Sequence, residues 1–252
     1  MEQKLYELNE KATEIYHREL YRSYTALSYF SKRHIQLNTI EAFRIGYASG
    51  LYNLYEYLKC DGFNDDDIIA SGLVKRQEDG SIVERYRNRI IFPIINEDNK
   101  IVAFGGRVID DKFKPKYLNS PETKIFSKGK NLYGIHRAKN YAEDGIILVE
   151  GYIDVITLNK AGIKNVVASL GTAISSSQIE LIKKYTNKIY IAFDSDKAGK
   201  IATLRILKYL EDEDVDVKFI HLKEAKDPDE YVNKYGVEKF KNLLYISKEE
   251  LD

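Results

Sequence analysis

Apolar residues near the N terminus recur with the period of an α-helix. One helical face collects Leu5, Leu8, Ala12 and Ile15. This spacing predicts a helix over about residues 3–30, and weaker patterns predict helices at 37–43 and 51–59. Asn64 is a suitable N-cap before three aspartates, and Gly72 is a suitable helix stop. The first third of the chain is therefore predicted to be mostly helical.

The pattern then changes to β-strand. Residues 89–95 and 100–109 are rich in β-formers, and the polar turn between them, 96–99, predicts a hairpin. Residues 110–130 are rich in Lys, Pro, Ser and Gly and lack periodicity. We expect residues 110–130 to form an extended, basic loop region.

From Gly145 onward, short apolar strands alternate with helices. The predicted strands are 146–149, 166–170, 188–193 and 217–222. The predicted helices are 152–160, one opened by a capping box at Ser177, and 198–209. This alternation is typical of βαβ units with a parallel sheet.

The predicted fold class is therefore α/β, with a mixed helical and β part before the parallel sheet. The boundary is predicted near Asp144, which gives domains 1–144 and 145–252. Cys60 is the only cysteine, so no disulfide and no cysteine-based zinc site are expected within the sequence. No apolar run reaches the length that crosses a bilayer, and the N terminus lacks a signal-peptide core. We expect a soluble, cytoplasmic protein without a membrane partner.

Charge is unevenly distributed although the chain is neutral overall. Residues 84–139 contain 13 Lys and Arg against 6 Asp and Glu, a net of +7. Residues 145–252 contain 16 against 18, a net of −2. A basic part next to an acid-bearing part suits an enzyme that holds nucleic acid or polyphosphate near metal ions. A solvated mosaic of surface charges is the alternative.

Acidic residues follow three of the predicted strands. Glu150 follows the first strand, Asp194 and Asp196 follow the third, and Asp227 and Asp229 follow the fourth after a short loop. Ligands of open parallel sheets bind outside the carboxyl ends of the strands, so these acids are expected to converge there. The alternative, that each acid only caps the next helix, explains any single acid better than all three groups.

Converging carboxylates repel one another unless cations neutralise them. Oxygen ligands with no nearby His or Cys favour Mg²⁺ or Mn²⁺ over Zn²⁺. The sequence therefore predicts a magnesium or manganese site at this edge of the sheet.

Basic residues upstream are candidates for phosphate binding. Arg85, Arg87 and Arg89 alternate, which predicts that they project from one face of a strand. Arg107 follows two glycines, where the backbone can approach a phosphate closely. Further cations lie in the predicted loop: Lys116, Lys128 and Lys130. Arg binds phosphate in bidentate fashion and Lys binds it as a point charge. An exposed strand face that protects a sheet edge is the alternative.

Several segments together resemble the catalytic core of bacterial DnaG-type DNA primases. The segments similar to the TOPRIM motifs are EGYIDV at 150–155, SLGTA at 169–173, FDSDKAG at 193–199 and KDPDE at 226–230. The upstream segments are YFSKR at 29–33, FRIGYA at 43–48, RNRIIFPI at 87–94, FGGRV at 104–108, KYLNSPET at 116–123, FSKG at 126–129 and LYG at 132–134. Ser195 stands where family members often have glycine.

The resemblance implies template-directed joining of ribonucleoside triphosphates into an RNA primer on single-stranded DNA. It implies that Asp194, Asp196 and Asp227 hold the metal ions with support from Asp229. Glu150 would either ligate a metal or take part in proton transfer, and together with Asp194 and Asp196 it would be catalytic. Triphosphate or nucleic acid would be bound by Arg87, Arg89, Arg107, Lys116 and Lys128, with Asn119 and Ser120 touching the nucleotide.

The zinc-binding module, the helical remainder of the core and the helicase-binding domain of the family have no counterpart in this sequence. We therefore expect a fragment or a compact relative, and a replicative helicase only as partner of the full-length family member. A TOPRIM nuclease or topoisomerase fragment and a non-catalytic nucleic-acid-binding module are the alternative functions.

Overall fold

The structure is a computed structural model that describes residues 2–171, 174–195, 199, 201–202, 204, 206, 215–222 and 224–245. Two compact units make up the chain, Met1–Ser127 and Lys128–Asp252. Among the described residues, no helix has the length and apolar character needed to span a membrane.

The helices of the first unit lie mostly at its N-terminal end. They are α1 (Glu2–Tyr21), α2 (Tyr24–Ser31), α3 (Leu37–Ala42), α4 (Leu54–Cys60) and α5 (Asp65–Ala70). The single helix predicted over residues 3–30 is in fact two, because the Ser23 side chain accepts a hydrogen bond from the Ala26 N–H and starts a new helix. The other predicted helices are confirmed, and Asn64 caps α5 as expected.

The first unit also contains an antiparallel sheet and a short two-stranded ribbon. The sheet strands are β1 (Gly46–Ala48), β4 (Arg89–Ile95), β5 (Ile101–Val108) and β6 (Tyr117–Asn119), and β2 (Val74–Arg76) pairs with β3 (Ile82–Glu84). The order of the sheet is β1-β4-β5-β6, and the predicted hairpin is confirmed as β4 and β5. Helix α1 covers the sheet, and its Tyr16 packs edge-to-face on Phe104 at 5.8 Å between ring centroids.

Two expectations for this unit are wrong. Arg85, Arg87 and Arg89 do not share a strand face, because β3 ends at Glu84 and the chain turns at Asn88, whose φ is +52°. The predicted loop region also contains strand β6, which pairs with β5.

The second unit is built on a parallel sheet. Its strands are β7 (Ile146–Val149), β8 (Val166–Ala168), β9 (Lys188–Ile191) and β10 (Asp216–Phe219), in the order β10-β9-β7-β8. All three pairings are parallel. The helices that the structure describes over a full range are α6 (Ile135–Ala138), α7 (Tyr152–Lys160), α8 (Ser176–Lys183), α9 (Pro228–Tyr235) and α10 (Val237–Tyr245).

The predicted strands and the helix at 152–160 are therefore confirmed, with ends shifted by a few residues. The predicted helix at 198–209 falls partly outside the described residues; residues 199, 201–202, 204 and 206 are helical. Helix α8 begins two residues earlier than predicted, because Ser175 rather than Ser177 forms the capping box with Gln178.

Residues 128–144 pack with the second unit. Gln178 is fully buried and donates hydrogen bonds to the Lys128 and Asn131 carbonyls at 2.9 and 2.7 Å. Tyr133 pairs with Ala168 at the sheet. The compact units thus divide earlier than the predicted boundary near Asp144, which stays a prediction for the functional domains.

Candidate metal centre and phosphate-binding residues

Two of the predicted acids meet at the carboxyl ends of neighbouring strands. Glu150 directly follows β7, and Asp194 lies in the loop after β9. Glu150 Oε1 accepts a hydrogen bond from the Asp194 N–H at 3.1 Å, so one carboxylate fixes the turn that carries the other. Gly199 packs against both, and a Cβ at that position would lie 2.9 Å from Glu150 Oε1. A residue larger than glycine would therefore displace this carboxylate.

Ser195 ties the Asp194 loop to the segment that carries Asp227. The Ser195 N–H donates to the Lys226 carbonyl at 2.9 Å, and its hydroxyl donates to the Ala225 carbonyl at 2.7 Å. Asp227 then caps helix α9, since its Oδ1 accepts from the Glu230 N–H at 2.8 Å. These bonds hold the third acidic group beside the sheet edge.

Asp154 connects the remaining parts of the acidic cluster. It is buried on α7, where its Oδ2 accepts from the Gly151 N–H and its Oδ1 accepts from the Asp229 N–H, both at 3.1 Å. Asp229 is itself held by the Thr157 hydroxyl at 2.6 Å and by Asn233. One buried carboxyl group thus joins the Glu150 turn to the first turn of α9.

The electrostatic effect of this arrangement is visible at Asp154. Burial raises the pKa of Asp154 well above its usual value, and the negative charges of Asp227, Asp194 and Asp229 raise it further. The acids at the strand ends are therefore near enough to repel the ionisation of a neighbour. A bound cation would relieve that repulsion.

The donor chemistry of this cluster fits a hard divalent cation. Glu150, Asp194 and Asp227 offer carboxylate oxygens, which suit Mg²⁺ or Mn²⁺. Within the described part of the chain, no three His, Cys, Asp or Glu side chains are already arranged as a closed metal cage. Asp196 lies outside the described residues, so its place in the cluster stays a prediction.

The predicted phosphate-binding arginines differ in what they contact. Arg87 is exposed, whereas the Arg89 side chain is buried. The Arg89 guanidinium donates to the Pro115 carbonyl at 2.9 Å and, more weakly, to the Gly106 and Lys116 carbonyls. Arg89 therefore holds the segment before β6 against β5, and its donors are directed at the backbone.

Arg107 is also buried, but not every N–H group of its guanidinium donates a hydrogen bond. It donates to the Tyr29 hydroxyl and lies over the rings of Tyr29 and Tyr117, at 5.0 and 5.7 Å from the ring centroids. Its Nη2 is 3.7 Å from Asp111 Oδ1. Its Nε is buried without a hydrogen-bond partner in the described structure.

The other predicted contact residues have mixed surroundings. Ser120 is buried, and its hydroxyl is bonded to the Phe104 N–H and the Tyr86 hydroxyl, each at 3.0 Å. The Ser120 hydroxyl is therefore not exposed for the predicted contact with a nucleotide. The Asn119 carbonyl accepts from Arg85. Lys116 has an exposed ammonium in the first unit, and Lys128 begins a 3₁₀ helix of the second unit.

Asp154 and Ser195 lie within the quoted motifs, but the sequence predicted no role in the cluster for either of them. Asp154 lies at the third position of α7, and an acid there after a glycine is a recognisable helix-start pattern. Ser195 gave no such signal, because its partners Ala225 and Lys226 are distant in the sequence.

A parallel sheet with acids gathered at the carboxyl ends of its strands defines the Toprim-like class of domain, and residues 147–232 match the family described as "Toprim-like". Residues 15–139 match the "DNA primase catalytic core, N-terminal domain". The chain belongs to the DNA primase family, of whose catalytic core it contains these two parts.

Relatives and solved structures agree with this assignment. The DNA primase of Clostridium acetobutylicum is 46% identical over 243 residues, which cover 96% of this chain and 40% of the relative. The structure of the zinc-binding and RNA polymerase domains of Aquifex aeolicus primase matches with a TM-score of 0.90 at 34% identity, over 96% of this chain and 60% of that one.

A DnaG primase catalytic domain bound to single-stranded DNA matches with a TM-score of 0.87 at 34% identity, over 96% of this chain and 81% of that one. The chain spans about 40% of the length of the curated relatives that it resembles.

Proposed function

We propose that this chain catalyses the synthesis of short RNA primers on single-stranded DNA from ribonucleoside triphosphates. The observation that supports this function most directly is the Glu150–Asp194 contact at the carboxyl ends of β7 and β9, in a chain of the DNA primase family. The reaction is nucleotidyl transfer, in which a 3′-hydroxyl attacks the α-phosphate of a triphosphate and pyrophosphate leaves.

The acidic cluster is proposed to hold Mg²⁺ or Mn²⁺. Two such cations, when bound, would stabilise the negative charge that develops on the attacking and leaving oxygens. The ligands would be Glu150, Asp194, Asp196 and Asp227, with Asp229 in a supporting position. Because the Asp229 carboxylate already accepts from Thr157 and Asn233, it is better placed to orient α9 than to change partners.

Basic side chains of the chain would bind the phosphate groups of the reactants. Arg87, Arg107 and Lys116 are proposed to bind phosphate groups of nucleic acid or triphosphate, and Lys128 would add a further positive charge. Glu150 can either ligate a cation or accept the proton of the attacking hydroxyl. The Arg89 guanidinium and the Ser120 hydroxyl are instead hydrogen-bonded within the first unit, to the Pro115 carbonyl and the Phe104 N–H.

We propose single-stranded DNA, the RNA primer and ribonucleoside triphosphates as partners. One similar structure is described as bound to single-stranded DNA and another as in complex with double-stranded DNA, which supports a nucleic-acid partner here. A replicative helicase is proposed as partner only of a longer protein that carries its binding domain. The proposed location is the cytoplasm, where bacterial DNA is replicated.

A primer-synthesis assay with ribonucleotides, single-stranded template and Mg²⁺ or Mn²⁺ tests this function. Asp194→Ala should abolish synthesis and also extension of a primed template, while thermal unfolding stays cooperative. Asp216→Ala is the matched control, since Asp216 is an exposed acid at the opposite, amino end of β10 and should leave synthesis intact.

Retained extension by Asp194→Ala would contradict the assignment. Supercoiled plasmid incubated with Mg²⁺ should remain supercoiled, whereas nicking or relaxation would favour a Toprim nuclease or topoisomerase.

A further inference from the structure

The guanidinium of Arg107 donates a hydrogen bond through Nη1, whereas the edge formed by Nε and Nη2 makes no hydrogen bond in the described structure. Its Nη1 donates to the Tyr29 hydroxyl, and the rings of Tyr29 and Tyr117 flank the group. Nε and Nη2 lie together on the other edge, which is the edge that binds carboxylate or phosphate in bidentate fashion. The Nε of this edge is buried without an acceptor in the described chain. A buried donor left unpaired is unfavourable, because it has lost its hydrogen bond to water without gaining another.

The Asp111 carboxylate stands at the Nη2 end of this edge. Its Oδ1 is 3.7 Å from Arg107 Nη2, and its Oδ2 is 3.9 Å from Lys116 Nζ. Both distances are too long for hydrogen bonds, so the contacts are electrostatic only. One carboxylate thus lies against two cations that are proposed to bind phosphate.

Asp111 is able to move away from this position. It follows β5 in an exposed turn, and its side chain is 61% exposed, whereas the Arg107 side chain is only 5% exposed. The turn itself is held by its neighbour Asp110, which accepts from the Lys112 N–H. Rotation of the Asp111 side chain therefore breaks no hydrogen bond that maintains the turn.

We propose that Asp111 is an internal competitor for the phosphate group that binds Arg107 and Lys116. A phosphate of single-stranded DNA or of a nucleoside triphosphate must displace it. Once Asp111 has rotated away, a phosphate that pairs with Nη2 would also accept from the unpaired Nε donor on the same edge. The Asp111 carboxylate, 3.7 Å from Nη2, does not do so. This inference rests on the proposed function, in which Arg107 and Lys116 bind phosphate.

The energetic cost of displacement is small. Ion pairs in which one partner is exposed contribute little to stability, and salt screens them. The burial of Arg107 strengthens its attraction to Asp111 beyond that of a fully exposed pair. Asp111 therefore weakens phosphate binding by a modest factor and competes with other anions for the Arg107 guanidinium.

Direct binding measurements test the inference. A fluorescent single-stranded oligonucleotide and, separately, a fluorescent ATP analogue are titrated with the whole chain at several salt concentrations. Asp111→Asn should lower the Kd for at least one of them about 3- to 10-fold at low salt, with a smaller gain at high salt. Asp111→Glu, which keeps the competing charge, should bind like the wild type.

Two controls separate competition from a general change in charge. Asp98→Asn removes the same charge from the exposed turn between β4 and β5, at the other end of these strands, and should give little gain. In an Arg107→Lys background, Asp111→Asn should lose most of its effect, because the bidentate edge is gone.

If Asp111→Asn lowers the Kd of only one probe, the phosphate that displaces Asp111 belongs to that ligand, either DNA or nucleoside triphosphate. Unchanged or weaker binding of both probes by Asp111→Asn, or an equal gain in Asp98→Asn, would overturn the inference. Because these readouts are binding constants, they are independent of the synthesis assay. A gain without primer synthesis would contradict the proposed function alone.

Discussion

Arg87 and Arg89 are two residues apart but differ in what their guanidinium groups contact. Arg89 is buried and bonded to backbone carbonyls, one of them at Pro115, while Arg87 is exposed. A guanidinium whose N–H groups already donate to backbone carbonyls has few donors left to bind a phosphate. Position within a basic motif therefore does not determine whether an arginine binds a ligand or holds a loop.

We expect substitution of Arg89 to affect mainly stability and substitution of Arg87 to affect mainly DNA binding. Arg89→Ala should lower the free energy of unfolding by about 2–3 kcal/mol, because it removes a buried side chain and the hydrogen bonds that it donates to the Gly106, Lys116 and Pro115 carbonyls. Arg87→Ala should leave stability within about 0.5 kcal/mol and weaken DNA binding with a shallower salt dependence. Urea unfolding and salt-dependent anisotropy measure the two effects, and each variant controls for the other. Equal stability of both variants would contradict this division.

His136 is a second residue whose surroundings have a measurable consequence. Burial lowers its pKa to about 4, and the charges of Arg137 and Lys139 contribute. Its Nδ1 has no hydrogen-bond partner in the part of the chain that is described. Between pH 6.5, the ordinary histidine value, and pH 4, the unfolded chain binds a proton that the folded chain does not. His136 therefore makes the fold less stable as the pH falls through this range.

His136→Gln should flatten this acid sensitivity. The wild type should lose up to about 1 kcal/mol per pH unit from this residue between pH 6.5 and 4, and the variant should not. Urea unfolding at several pH values measures the slope. His221→Gln, at an exposed histidine, should keep the wild-type slope. If His136→Gln lost stability as steeply as the wild type, the buried neutral imidazole would not be the cause.

The sequence was most informative about acids at strand ends and least informative about partners distant in sequence. Glu150 and Asp194 were predictable because parallel strands end on one side of a sheet. The hydrogen bond between Glu150 and the Asp194 N–H was not, since it depends on loop conformation. For the same reason the burial of Ser120 and Arg89 could not be seen in their motifs.

At the scale of elements, helix α8 shows how a start signal determines more than one helix. Ser175 accepts from the Gln178 N–H at 3.2 Å and its hydroxyl donates to the Gly129 carbonyl. Gln178 in turn donates to the Lys128 and Asn131 carbonyls. The cap therefore also anchors the segment that begins the second unit.

Ser175→Ala and Ser177→Ala form a matched pair for this element. Ser175→Ala should cost about 1–2 kcal/mol of stability, because it removes the cap and the bond to Gly129. Ser177→Ala lies on the exposed face inside the helix, where alanine has the higher helix propensity, and should be neutral or slightly stabilising. Chemical denaturation gives both values. The reverse order would restore Ser177 as the cap.

Elements with a strong local sequence signal were predicted, and elements without one were missed. Strand β7 is a continuous apolar run and β9 is apolar after Lys188, so their existence followed from the sequence. Strand β1 has only three residues and exists because β4 and α1 pack on it; a Cβ on Gly46 would collide with Tyr16. Such a strand has no local signal.

At the scale of the whole molecule, the boundary between the two compact units determines which segments can fold alone. The core of the second unit contains residues that precede the predicted boundary near Asp144. They are Leu132, Ile135, Ala138 and Ala142, packed with residues of the parallel sheet and α8. Burial of a Leu or Ile side chain contributes about 1.5–3 kcal/mol. The parallel sheet alone is therefore an incomplete unit.

Two fragments test where the second unit begins. A fragment of residues 128–252 should unfold cooperatively in urea, because it keeps Leu132 and Ile135 in the core and the Gln178 bonds to Lys128 and Asn131. A fragment of residues 145–252 loses all of these. Its deficit, roughly 5 kcal/mol or more, equals much of the total stability of an ordinary domain. It should lack a cooperative transition and bind hydrophobic dyes.

Circular dichroism and the dispersion of amide signals in NMR spectra distinguish the two states. Gln178→Ala in the 128–252 fragment should give an intermediate stability, since it removes the bonds but leaves most of the apolar core. Equal unfolding midpoints of the two fragments would show that residues 128–144 add nothing to the second unit. In that case the boundary at Asp144, and not the one at Lys128, would describe how the chain folds.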